Sequence, residues 1–302
     1  MNVQRLVFRL KEIPYSVNTS EEVAQFLANA LVDVDPTDIV VQSLATSLNS
    51  WTKPSDRSTK VATLMFKRTP RLLDDEPIDG GWCIDPDGSS LCLDTNFLGL
   101  TPLNDVEPSI HVGDCVAISG LSSHPFGSWQ PKGSDKKFMW IRDCLPRKLP
   151  LVRVILYGQD SRLEKSGSFQ QLDDMARDLL QSIRQLDKAK RLIFLGHSLG
   201  GLILKEAIVQ LKTSPDGNDY RILKRIEGAV CFGVPNLGME QNHFLAVTKG
   251  ARNEVLIRDI EKTSNYIAKL DRMYTDDDDL RTLRFIWAYE TLESCTTIVS
   301  VY

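Results

Sequence analysis

The sequence has no CxxC pair. Its six cysteines, Cys83, Cys92, Cys115, Cys144, Cys231 and Cys295, stand nine or more residues apart, which argues against a zinc or dithiol motif and for reduced thiols in a cytosol-like compartment. No apolar run approaches the ~18 residues needed to span a bilayer. Met1 to Ser16 alternate charged and apolar residues, with no basic region leading into an apolar one, so neither a transmembrane helix nor a signal peptide is expected. Basic residues do not dominate: 36 Lys and Arg against 40 Asp and Glu give a net charge of −4, with no general attraction to nucleic acid or anionic lipid. Gly 18 and Pro 14 are too few for a fibrous or low-complexity chain. Histidine is scarce, limited to His111, His124, His197 and His243. What remains is ordinary globular usage, 42% hydrophobic and 25% charged, over 302 residues. That length suits two domains, or one large α/β domain with an appendage.

Along the chain, Arg5 to Ile13 reads as a strand closed by Pro14, and Thr19 or Ser20 as the N-cap of a helix carrying Val23, Phe26, Leu27 and Leu31 at helical spacing. Strands at Ile39 to Leu44 and Lys60 to Phe66 complete a β-α-β-β unit over residues 1–70. Residues 71–109, rich in Pro, Gly and Asp, read as an irregular linker. In 110–302, short apolar runs at Val116 to Ser119, Val152 to Tyr157, Leu192 to Leu195 and Gly228 to Phe232 alternate with amphipathic stretches at Gln170 to Leu186 and Leu199 to Leu211. Arg284 to Tyr289 adds a further strand. Buried strands alternating with helices predict an α/β fold with a mainly parallel sheet.

The sharpest local signal is Gly196-His197-Ser198-Leu199-Gly200, a G-x-S-x-G placed directly between an apolar strand and a helix. At average residue usage the bare pattern would arise on the order of 0.1 times in a chain this long. At such an elbow the serine is forced into a strained turn that lifts its hydroxyl out of the sheet edge, and glycines flank it because a Cβ would strike neighbouring backbone. Val116 to Gly120 is a strand entering the loop Leu121-Ser122-Ser123-His124. The backbone amides of Leu121 and Leu199 are therefore candidate oxyanion donors beside a candidate nucleophile, Ser198.

The segments GLSSHPFGSW (120–129), MWIRDCLP (139–146), VRVILYG (152–158), FLGHSLGGLILKEAI (194–208) and CFGVPNLGM (231–239) resemble the fungal α/β-hydrolase-fold proteins of the serine active site-containing, lipase-like group, in order, over about residues 97–291. The 1–70 unit resembles the RRM-like segment that precedes the hydrolase in those chains. The resemblance implies an α/β-hydrolase fold and hydrolysis of an ester or lipid-like substrate through Ser198. It implies no cofactor and no metal, and it allows a mitochondrial or endoplasmic-reticulum membrane periphery as well as the cytoplasm. It also makes Glu290, at the end of RFIWAYE, the candidate triad acid, with a solvent-facing strand end as the plain alternative.

The triad histidine is not found. In this fold the order is Ser, acid, His, and none of the four histidines follows a plausible acid; His243 comes after the nucleophile but before the acid strand. Relative to the group, the chain departs from the pattern by ending at Tyr302, ahead of the last strand, the His loop and the terminal helix. A truncated product, a noncatalytic pseudo-hydrolase serving as a signalling or protein-interaction domain, and a base supplied by an unusual residue or a partner all stay open. The 1–70 unit is expected to contact protein. RNA stacking on Phe8 and Phe66 is disfavoured because no Gly- and aromatic-rich RNP1 string is present. The run Asp276 to Asp279 reads as a solvated loop, and Trp129, Trp140 and Trp287 as core residues beside the site.

Overall fold

A computed structural model describes residues 6–31, 33–48, 59–78, 80–85, 90–121, 124–131, 137–160, 169–186, 190–240 and 252–289. The chain divides into two compact units, residues 1–111 with 129–156, and residues 112–128 with 157–302.

In the first unit, β1 (Phe8–Pro14), α1 (Ser20–Leu31), β2 (Ile39–Thr46) and β3 (Thr59–Phe66) follow the β-α-β-β order read from the sequence. The α1 entry is a reciprocal cap: Glu22 N donates to Thr19 Oγ1 at 3.1 Å, while Thr19 N donates to Glu22 Oε2 at 3.2 Å. The sheet does not stop at three strands. Residues 71–109, expected to be an irregular linker, hold β4 (Gly81–Ile84), β5 (Leu91–Asp94) and β6 (Gly99–Pro102). Strands β4 and β5 extend the sheet to the order β2-β3-β1-β5-β4, with every pairing antiparallel. Along β1 the side chains alternate: Phe8 and Leu10 join Leu64, Leu91, Leu93 and the α1 residues Val23 and Leu27 in one core, while Arg9 points to the opposite face.

Arg9 is why the supposed linker is ordered. Its Nε donates to Asp94 Oδ2 at 2.9 Å and its Nη1 to Thr101 Oγ1 at 2.9 Å and Leu98 O at 3.1 Å. The guanidinium also lies 5.4 Å from the Phe97 ring centre. Arg9, Asp94 and Thr101 are all buried, so each charge and dipole must be met by another, and that requirement holds β5 and the segment beyond it against β1. Phe8 and Phe66 lie 5.3 Å apart edge to face, each about 1% exposed, so these rings belong to the core and offer no stacking platform. Strand β8 (Val152–Gly158) is tied to the segment after β6 by Leu103 N donating to Val154 O at 2.8 Å.

In the second unit, β7 (Gly113–Ile118), β9 (Arg191–His197), β10 (Ile226–Phe232) and β11 (Arg284–Ala288) pair in the order β7-β9-β10-β11, each pairing parallel. Between them run α2 (Leu172–Ile183), α3 (Leu199–Thr213), α4 (Gly217–Arg225) and α5 (Asn265–Thr275). The seven apolar residues of the 170–186 stretch, Leu172, Met175, Ala176, Leu179, Leu180, Ile183 and Leu186, are all buried, which is the stripe a sheet-covering helix requires. Trp129 is buried, Trp140 half-buried, and Trp287, expected in the core, is 38% exposed because β11 has no strand on its outer side among the described residues. Asp277 caps the short helix Asp278–Arg281 and, with Asp279, pairs with Lys212; the acidic run is neutralised in part by this lysine. Among the described residues no helix is long and apolar enough to cross a membrane, and no group of three or more His, Cys, Asp or Glu could hold a metal ion.

Candidate active site

Ser198 sits between the last residue of β9 and the first of α3, with φ 51 and ψ −122. Only three non-glycine residues among those described have positive φ, the others being Glu12 and Phe97. A Cβ at this φ strains the backbone, and such a conformation persists only when its surroundings hold it. Here the hold is a pair of hydrogen bonds: Ser198 N donates to Phe232 O of β10 at 2.9 Å, and Gly201 N donates to Ser198 O at 3.0 Å. The serine is half-buried.

The glycines around it are required by contact. A Cβ on Gly200 would stand 2.4 Å from Ile118 O and 2.6 Å from Ser119 O, and one on Gly196 would stand 2.9 Å from Gly201 Cα. Gly201, which the sequence reading left unassigned, is as constrained: its Cβ would meet Val234 Cγ2 at 2.2 Å. The start of α3 is thereby wedged between the end of β7 and the segment after β10. Gly120 closes the arrangement. Its Cβ would lie 2.9 Å from His197 Nδ1 and 3.0 Å from Ser198 Cβ, so the turn leading to Leu121 runs against the elbow itself. Gly120 N donates to Ser128 Oγ at 3.3 Å, and Gln159 Nε2 donates to Ser119 O at 3.3 Å, pinning that turn from two sides. Leu199 is buried and occupies the first position of α3, where helix amides have no partner within the helix and carry the positive end of the dipole.

Glu290 lies outside the described residues. Its approach is described: Ala288 is in register with Phe232, which on its other side is in register with His197. The end of β11 therefore emerges at the same sheet edge as the elbow, two strands away. His243 also lies outside the described residues. His124 is exposed and its Nδ1 accepts from Phe126 N at 3.3 Å; His111 is buried ahead of β7; His197 is half-buried beside Gly120.

Sequence reasoning missed a buried cation behind the elbow. Lys205, on α3, is 3% exposed. Its Nζ donates to Asp271 Oδ1 of α5 at 2.7 Å and to Asn236 Oδ1 at 3.4 Å, and stands 5.2 Å from the Tyr274 ring centre. A lysine this buried needs an ion pair and hydrogen bonds, and meeting that need fixes α5 and the 233–239 segment to the helix that begins at Ser198. The signal was a lysine whose same-face neighbours one turn away, Gly201, Leu202, Ile208 and Val209, are all uncharged.

Residues 132–267 match the family described as "Putative serine esterase (DUF676)". Protein SERAC1 of Bos taurus is 24% identical over 149 residues, covering 41% of this chain and 22% of that protein; protein SERAC1 of Homo sapiens is 22% identical over the same extent. The alignment thus spans about a fifth of the curated relatives' length. Among solved structures, the mature form of Bacillus licheniformis lipase BlEst2 aligns with a TM-score of 0.43 at 12% identity, covering 62% of this chain and 70% of that one. Phospholipase PlaB from Legionella pneumophila, in complex with thio-NAD, aligns with a TM-score of 0.42 at 15% identity, covering 59% and 37%. Over its middle portion the chain is similar to a serine esterase family.

Proposed function

We propose that the chain is a serine hydrolase of α/β-hydrolase fold that cleaves an ester through an acyl-enzyme on Ser198. The observation that carries this reading is the strained, half-buried serine between a parallel strand and a helix, with the turn at Gly120 packed against it. In the reaction, Ser198 Oγ attacks the ester carbonyl carbon and gives its proton to a general base. The developing oxyanion accepts hydrogen bonds from the Leu121 and Leu199 amides; the alcohol then leaves with the proton, and water releases the acid. Glu290 is the proposed acid, and the base is assigned to no described residue. The substrate class is an ester or lipid-like molecule, in keeping with the esterase family matched by residues 132–267. A mainly parallel sheet, the RRM-like character of the first unit, a protein partner for residues 1–70 and peripheral membrane contact belong to the same proposal.

The test is labelling of the chain with a fluorophosphonate, which reacts with an activated serine irrespective of substrate. Labelling that disappears in Ser198→Ala supports the reading. Absence of labelling in the folded wild-type chain overturns it in favour of a noncatalytic interaction domain.

A further inference from the structure

Strands β4 and β5 are antiparallel neighbours, and their register sets Cys83 directly opposite Cys92. The kind of pair this is follows from the backbone. Gly81 exchanges both of its main-chain hydrogen bonds with Ile78, at 2.9 and 3.0 Å, so its N–H and C=O face away from β5 and the pair Gly81 with Asp94 is not hydrogen-bonded. Antiparallel pairs alternate, so two residues on, Cys83 with Cys92 is again a non-hydrogen-bonded pair, the type in which Cα atoms approach to about 4.5 Å and side chains are nearest. That separation lies at the short end of the ~4.4–6.8 Å that a disulfide spans.

Both thiols are on the sheet face opposite the core. Leu91, Leu93 and Ile84 point into the cluster with α1, whereas Cys92 Sγ lies 3.4 Å from where a Gly81 Cβ would be, alongside Asp94. Cys83 is exposed and Cys92 half-buried. The pair differs from Cys115 and Cys231, whose burial pushes their thiols up to about 12 and leaves them protonated.

We propose that Cys83 and Cys92 are a thiol-modification site that closes reversibly into an intramolecular disulfide with an oxidant of the small-molecule disulfide class, such as oxidised glutathione. The exposed Cys83 thiolate attacks one sulfur of the oxidant, whose S–S bond breaks; one glutathione thiolate leaves and takes up the proton Cys83 gave up. The Cys92 thiolate then attacks the Cys83 sulfur of the mixed disulfide, and the second glutathione leaves with the Cys92 proton. Two protein thiols are oxidised and one small disulfide is reduced to two thiols. Directly opposed Cβ atoms stand about 4.5–5.5 Å apart in a sheet against about 3.5–4.5 Å in a disulfide. A non-hydrogen-bonded pair sits at the near end of the sheet range, so the bond closes with a small shift of the strands, and an exposed disulfide at a sheet edge is open to reduction, which suits a reversible clasp better than a permanent staple. Its effect is to fasten β4, the last strand of the sheet, to β5.

The full chain is incubated in glutathione redox buffer, remaining thiols are alkylated, and peptides are mapped by mass spectrometry. The expected product joins Cys83 to Cys92 with loss of two hydrogen atoms and reopens when reduced glutathione is raised. Cys92→Ser removes the resolving thiol, so the glutathione adduct at Cys83 should rise on the order of tenfold over wild type, because the neighbouring thiol otherwise acts at high effective concentration. Cys144, exposed at the turn between the short helices Trp140–Asp143 and Leu145–Lys148, serves as the internal control for simple adduct formation. An adduct at Cys83 as abundant in wild type as in Cys92→Ser, or a link from Cys83 to another cysteine, overturns the proposal.

Discussion

The backbone at Ser198 stores strain that a pair of substitutions can release and measure. Ser198→Ala and Ser198→Gly both delete the hydroxyl, so any difference between them belongs to the Cβ and the backbone. At φ 51 and ψ −122 a residue with a Cβ carries about 1–3 kcal/mol of strain, which glycine does not. Against this, glycine loosens the unfolded chain by about 0.4–1 kcal/mol. Loss of the half-buried Cβ, 3.0 Å from the position of a Gly120 Cβ, costs at most about 0.8 kcal/mol. From the middle of these ranges, Ser198→Gly should be more stable than Ser198→Ala by about 1 kcal/mol, or about 2–4 °C in Tm for a unit of this size. Equilibrium urea unfolding and calorimetry of the two variants, side by side, read the difference. Equal stability, or a less stable glycine variant, would refute the claim that the elbow is held in a strained state by Phe232 O and Gly201 N.

Gly200→Ala should lower the urea midpoint: its Cβ meets two backbone carbonyls at 2.4 and 2.6 Å, and the overpacking cost of about 1–3 kcal/mol exceeds the gain of about 1 kcal/mol in helix propensity. Gly217→Ala, with nothing within 4 Å, is the control and should leave the midpoint unchanged or slightly higher. Asp259 supplies a pH test. Burial, and next the Asp173 carboxylate, push its carboxyl from 3.8 up to about 6, and its Oδ2 is buried without a hydrogen-bond partner. A raised carboxyl favours the protonated folded state, so its contribution is fully present below about pH 4 and is lost as pH rises through about 6. Asp259→Asn should therefore raise Tm near neutral pH and flatten the Tm profile across that window; parallel profiles for the two proteins would count against the assignment.

The parts that were legible in the sequence are local. The run from Leu192 through Leu211 announces itself because an apolar strand, three glycines and a helical stripe follow one another without a gap, and the structure keeps β9, Ser198 and α3 in that order. The 71–109 segment misled because β4 and β5 are four residues each, too short for alternation to stand out, and because their anchor is a buried pair, Arg9 with Asp94, made of residue types that ordinarily face water. The contacts that fix the elbow were equally hidden: Gly201 against Val234 and Lys205 with Asp271 join residues 33 and 66 apart, and no periodicity encodes such a pairing.

The position of β1 sets a schedule for synthesis. It is made before both of its sheet neighbours, β3 and β5, and Arg9 waits for Asp94, 85 residues later. At 5–20 residues per second, that interval is roughly 4–17 s; β3 can take up one edge of β1 before it ends, but the edge that receives β5, and the Arg9 guanidinium on it, stay open to water until Asp94 is made. The free edge of β1 is therefore exposed for as long as translation takes to cross residues 67–94, and the rate across that stretch governs how long it stays open to mispairing.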